Sequence, residues 1–171
     1  MTGATEKAGS AFALEAGGGE AIWFIGQLAT VKMGSDETRG RCALLEFVTP
    51  AGGGSPYHVH RNEDESFYVL EGEITFYVGD AVIQATEGSF VFGPRNVPHT
   101  FVVGSQTPAR YLLFTEPGGF DRFVAEAGVP AEARTLPPPP DGPPDIPALA
   151  AIAAKYGIEI LGPPGPPPSS L

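Results

Sequence analysis

The stretch Gly52-Gly-Gly-Ser-Pro-Tyr57-His58-Val59-His60-Arg-Asn-Glu63-Asp64-Glu65-Ser-Phe67-Tyr-Val69-Leu-Glu71-Gly72 decides the fold of this chain. Successive side chains of a strand point to opposite faces, so His58 and His60 project to the same side. Two imidazoles on one face suit a single metal ion, although such a pair alone is more often a surface feature. Glu65 adds to it, because by parity it shares a face with Phe67 and Val69. A carboxylate on an apolar, inward face needs a partner, since an unpaired buried charge is costly. A metal would be such a partner. Glu63 and Asp64 read instead as a solvated turn.

Working outward, His99 follows Gly93-Pro94-Arg95-Asn96-Val97-Pro98, a turn that delivers a histidine onto the start of another strand. By itself it is better read as a core histidine satisfied by a backbone hydrogen bond. Around these residues lie short runs rich in Val, Ile, Phe, Tyr and Thr, broken by Gly, Pro or Asp. The expected strands are 22–25, 28–33, 42–48, 57–60, 67–70, 74–78, 82–85, 89–92, 100–103 and 111–115. Ten short strands at close spacing predict an all-β antiparallel sandwich or barrel, and no helical period interrupts them.

Composition agrees once the prolines are placed. Of 171 residues, 23 are glycine and 19 proline, a fraction that borders on low-complexity sequence. Twelve of the prolines fall between Pro137 and Pro168, so a folded domain precedes a proline-rich tail. The formal net charge of −10 repels phosphate backbones and anionic bilayers, which disfavours nucleic-acid and membrane partners. Cys42 is the single cysteine, excluding an internal disulfide and any CxxC motif; it reads as a small buried hydrophobe on a strand. The segment Ala11–Gly26 is interrupted by two glutamates and four glycines and does not read as a signal peptide, so a cytoplasmic location is expected.

Beyond Thr115 the pattern changes. Phe120, Phe123, Val124 and Ala127 follow helical spacing, ended by Gly128. A second helix is expected from Ile146 to Tyr156, with Asp145 as N-cap and Gly157 as stop. Leu136-Pro-Pro-Pro-Pro-Asp-Gly-Pro-Pro between them is necessarily extended. The division is then 1–20, an N-terminal extension with a loose polar start; 21–116, a β-barrel with the site; and 117–171, a C-terminal extension ending in a frayed proline-rich terminus. The tail is expected to act as a strap across the barrel or a partner subunit, with all the chemistry lying before Leu136.

Two spacings carry a family resemblance. Gly52-x5-His58-x-His60-x4-Glu65-x6-Gly72 resembles the first cupin motif, and Gly88-x5-Pro94-x-Asn96-x2-His99 the second, with 15 residues between them. Asn96 stands where the pattern has glycine and Val103 where it has asparagine; neither is a ligand position, and Asn is the non-glycine residue that best tolerates positive φ. The resemblance implies a double-stranded β-helix or jelly-roll barrel holding a metal by His58, His60, Glu65 and His99. By parity, Phe67, Val69, Phe101 and Val103 would line the barrel near it, with Tyr57 as a further substrate contact. Imidazole plus carboxylate suits Ni, Co, Mn or Fe, and equally Cu or Zn.

Further segments, among them Glu20-Ala-Ile-Trp23-Phe24, Pro117-Gly-Gly-Phe120 and Lys155-Tyr-Gly-Ile-Glu-Ile-Leu-Gly-Pro164, resemble bacterial single-cupin quercetinases. That similarity implies a flavonol dioxygenase consuming O2 and releasing CO, with Glu65 as catalytic base, a small aromatic substrate and a homodimeric assembly. A cupin dioxygenase of another enolisable or phenolic substrate, or a non-catalytic ligand-binding cupin, are the alternatives.

Overall fold

The computed structural model describes residues 10–140 and 142–166. The polar start at 1–9, Asp141 and the proline-rich end at 167–171, expected to be frayed, lie outside the described residues. Two antiparallel sheets face one another across an aromatic core. The larger sheet is built from β1 (Glu20–Phe24), β2 (Gln27–Met33), β3 (Ala43–Thr49), β5 (Asp64–Glu71), β8 (Phe90–Gly93), β10 (Ala109–Glu116) and β11 (Val129–Pro130). Its order is β11-β1-β2-β3-β10-β5-β8. The smaller sheet contains β4 (Tyr57–His60), β6 (Ile74–Val78), β7 (Ala81–Ala85), β9 (His99–Val103) and β12 (Ile158–Gly162), in the order β12-β4-β9-β6-β7.

The period-two pattern places the core. On β3, Ala43, Leu45, Phe47 and Thr49 are buried and their neighbours are not; on β10, Ala109, Tyr111, Leu113 and Thr115 follow the same rule. The inward rings interlock: Phe47 stacks on Tyr111 at 5.6 Å, Phe67 meets Phe76 at 4.9 Å, and Phe101 meets Tyr111 edge-on at 5.5 Å. Each fully buried ring or branched side chain stabilises the fold by about 1.5–3 kcal/mol. Within this core Tyr111 Oη donates to Gln27 Oε1 at 3.1 Å, and Thr49 Oγ1 donates to the same oxygen at 2.5 Å.

Three features depart from the expected element plan. A four-residue helical turn, α1 (Ser35–Thr38), interrupts the strand region. Strand β5 begins at Asp64, so Glu65 lies on the ladder and not before it. Cys42 is half-buried and precedes β3 by one residue, since its carbonyl accepts from Thr38 Oγ1.

The chain after Thr115 forms helices α2 (Phe120–Ala127) and α3 (Ile146–Lys155), with Asp145 Oδ1 capping α3 by accepting from the Ala148 amide at 3.0 Å. This part of the chain does more than lie across the barrel. β12 pairs antiparallel with β4, setting Ile158 opposite His60 and Ile160 opposite His58. Gly157 makes the turn into β12 with φ of +74°, and a Cβ there would lie 2.5 Å from Asn62 Nδ2. Among the described residues no helix is long and apolar enough to cross a membrane.

Candidate metal centre

The four expected ligands come from three strands and converge. His58 and His60 lie on β4, His99 opens β9 directly opposite His58, and Glu65 lies on β5 between Gly93 and Thr115. One ligand atom from each lies within 4.8 Å of the others. The imidazole centroids are 4.4 Å apart for His58 and His99 and 4.8 Å apart for His58 and His60. Asn96 adopts φ of +65° in the turn that delivers His99, and its amide donates to the His60 carbonyl at 2.7 Å. The residue that departs from the glycine of the motif thus takes the left-handed conformation that the turn requires.

The outer ring nitrogens explain the convergence. A carbonyl can only accept, so His58 Nδ1–H donates to Pro56 at 2.7 Å and His99 Nδ1–H donates to Val97 at 2.9 Å. His60 Nδ1–H donates to Glu63 at 2.9 Å. With all three Nδ1 protons committed outward, the three Nε2 atoms point inward, where each meets either a proton or a cation. His58 Nε2 and His60 Nε2 then lie 2.9 Å apart, and Glu65 Oε2 lies 2.7 Å from His99 Nε2 and 3.5 Å from His60 Nε2. Lone pairs so close repel unless a proton or cation sits between them. The donor set, three neutral imidazoles and one carboxylate, fits a divalent transition metal.

The electrostatics fit as well. Burial alone would push the Glu65 carboxyl up, but the charge on His60 and the hydrogen bond with His99 outweigh it and hold it at about 2. Desolvation, then the charges on His99 and His60, push His58 down to about 3, so it is neutral and available at pH 7. Burial pulls His60 the other way from its carboxylates, yet Glu65 and Glu63 prevail and raise it.

Glu63 departs from the solvated-turn reading. It is 3% exposed and buried against His60, because the Arg61–Glu63 turn folds back under the ligand strand. Asp64 is partly exposed but clamped, accepting from the Arg95 amide at 2.8 Å and from its guanidinium at 2.7 Å. The only sequence signal for Glu63 was its place between two ligands, where strand parity no longer applies.

A cavity of about 50 Å³ opens beside His58, the one ligand of the four that lines it. Its walls are mostly apolar: Phe24 and Ile25 from the β1–β2 hairpin, Phe120 and Phe123 from α2, Leu149 from α3, and Ile158 and Ile160 from β12, with Gln27 and Ser55 as the polar residues of the lining. None of the five expected substrate contacts is among them. Phe67, Val69, Phe101 and Val103 do face inward, but they pack against each other and Phe76 in the closed core. Tyr57 alternates with His58 along β4 and so faces away from it. The walls after Leu136 were missed because nothing local in Leu149 or Ile158–Leu161 announces a contact with β4.

Two facing antiparallel sheets around a three-histidine, one-carboxylate cluster give a cupin-type fold with a candidate metal site. Residues 45–115 match the cupin domain family. Quercetin 2,3-dioxygenase of Bacillus subtilis (strain 168) is 28% identical over 126 residues, which take in 74% of this chain and 37% of that protein. The chain thus spans little more than a third of that relative's length. Among solved structures, an RmlC-like cupin from Shewanella frigidimarina NCIMB 400 superposes with a TM-score of 0.55 at 21% identity, over 66% of this chain and 96% of that one. The polyketide cyclase RemF from Streptomyces resistomycificus gives 0.55 at 23%, over 63% and 80%. At these identities the likeness is one of fold.

Proposed function

We propose that the protein is a metal-dependent dioxygenase that cleaves a flavonol such as quercetin with O2 and releases CO. The observation that carries this reading is the convergence of three Nε2 atoms and the Glu65 carboxylate, with one of the four ligands, His58, lining an apolar cavity. The partial match to a quercetin 2,3-dioxygenase supports the substrate class. A divalent metal held there would acidify a flavonol hydroxyl and bring it together with O2. His58, His60 and His99, their Nδ1 protons fixed outward, would hold that ion without rearranging. Glu65, unprotonated at neutral pH, would accept the hydroxyl proton on a carboxylate oxygen and hold it close to the ring. Phe24, Phe120 and Ile160 exclude water and present flat or branched apolar surface to an aromatic ring.

The test is quercetin decay at its visible band, with O2 consumption and CO release, after loading with Ni, Co, Mn or Fe. Loss of the band with all three balances in step supports the reading; no decay with any of the four metals overturns it. The cavity, at about 50 Å³, favours a second reading in which a smaller enolisable or phenolic compound is the substrate. A cytoplasmic homodimer completes the proposal. Tyr68, Phe90 and Phe92, exposed on neighbouring strands β5 and β8, support an outer face that a second copy covers, and sedimentation equilibrium tests it.

A further inference from the structure

The turn of the β1–β2 hairpin is Ile25-Gly26, flanked by the pair Phe24 and Gln27. Its φ values are +49° and +73°, the two successive positive angles of a type I′ turn. Asn, Asp or Gly ordinarily takes the first position, because a branched Cβ is strained in the left-handed region. A β-branched residue held there points to a demand on its side chain that outweighs the backbone. The Ile25 side chain is partly buried, packs against the core and lines the cavity beside His58.

The cavity has a second wall of different character. Phe24, Phe120 and Phe123 are locked in an aromatic cluster of two edge-on contacts and one tilted contact, with centroids 5.3 to 6.4 Å apart, and cannot withdraw without opening the core. Leu149 is carried by α3, in which Ala153 is the fully buried residue. The C-terminal end of α3 is fastened: Tyr156 Oη donates to Glu126 at 2.6 Å, and Asn62 Nδ2 donates to the Tyr156 carbonyl at 2.9 Å. Leu149 lies nearer the other end, which follows the proline-rich segment and starts at the exposed Ile146. At about 50 Å³ the space between these walls is far below the roughly 300–1,000 Å³ of sites for ligands of two or three rings.

We propose that Ile25 and Leu149 form an apolar gate that sets the size of ring system admitted beside His58, and that the strained turn is retained for the side chain it holds in that gate. The proposal rests on the reading of the protein as an enzyme of aromatic substrates, but it concerns admission and not chemistry.

The test compares binding of quercetin, with three rings, and catechol, with one, to the metal-loaded protein without O2, in wild type and in Ile25→Gly, Ile25→Asn and Leu149→Ala. Leu149→Ala and Ile25→Gly are expected to raise the affinity for quercetin relative to catechol by about five-fold or more, the scale of a side chain removed from an apolar pocket. Ile25→Asn is expected to raise Tm, because the turn strain is relieved; a residue serving only the core would lower it. A ratio unchanged within about two-fold in both widening variants overturns the gate, as does a lower Tm in Ile25→Asn or the failure of every form to bind either compound. If wild type turns over quercetin while the ratio stays flat, the gate falls and the dioxygenase stands. If the ratio shifts but O2 is never consumed, the gate stands and the dioxygenase falls.

Discussion

His60 Nδ1 lies 2.9 Å from the Glu63 carboxylate, and the two side chains are 1% and 3% exposed. A buried carboxylate at the outer nitrogen holds the ring with its Nε2 toward Glu65, 3.5 Å away. Removing such an outer partner costs about 10–100-fold in metal affinity. Glu63→Ala should show that loss in competition with a chelator, and Glu63→Gln a smaller one, since its amide oxygen still accepts from Nδ1–H. Equal affinities in all three proteins would show that Glu63 does not orient the ligand.

Metal binding should stabilise the fold. An ion that binds only the folded chain adds about 2.7 kcal/mol at a hundred times its Kd. For a domain of this size that is about 5–10 °C in Tm, reversed by a chelator. His58→Ala and His99→Ala should each abolish the shift in scanning calorimetry, and Glu65→Ala should reduce it, because every one of these groups contributes to the converging set.

Metal binding should also release protons. His58, held at about 3, is already neutral at pH 7, whereas Glu65 and Glu63 raise His60 above its ordinary value despite its burial. A metal takes the neutral ring, so binding displaces the proton that the raised value keeps on His60. Affinity should therefore rise with pH until the raised His60 value is passed. The apoprotein should show the opposite trend from this group: its stabilising contribution is full below the unfolded histidine value and is lost as pH rises through the folded one. Calorimetry of metal binding in two buffers of different ionisation enthalpy measures the release; identical heats would refute it.

If Glu65 takes the substrate proton, Glu65→Ala should reduce turnover by about 10²–10⁴-fold. In protein matched for metal occupancy, binding of an already ionised flavonol should fall far less. Equal losses in both would assign Glu65 to metal binding alone.

Gly157 turns the chain from α3 into β12 at φ of +74° beside Asn62. Gly157→Ala should destabilise the protein by about 1–2 kcal/mol from the left-handed conformation alone, with more from the Asn62 contact. Because β12 pairs with the strand carrying His58 and His60, chemical denaturation should show the loss together with weaker metal binding. A drop in stability with unchanged metal affinity would separate the tail from the site.

The ligand set was legible because strand geometry is local. Parity placed His58 with His60 and Glu65 with Phe67, and the cupin-like spacing of the second motif added His99. The ring of ligands, the all-β class and the inward faces of β3, β5 and β10 follow from patterns a few residues long. Tertiary structure decided the rest. Glu63 looked solvated because its turn is polar in sequence, and it is buried only because that turn folds beneath β4. Phe67 and Phe101 face inward as parity requires, but which inward residues meet the cavity depends on depth in the barrel, and periodicity carries no depth. The walls of the cavity come from Ile25, Phe120, Leu149 and Ile160, brought together by sheet pairing and helix packing across more than a hundred residues. Residue type and spacing determined which groups can hold a metal; long-range packing determined what reaches it, because pairing partners far apart in the chain leave no mark in either local sequence.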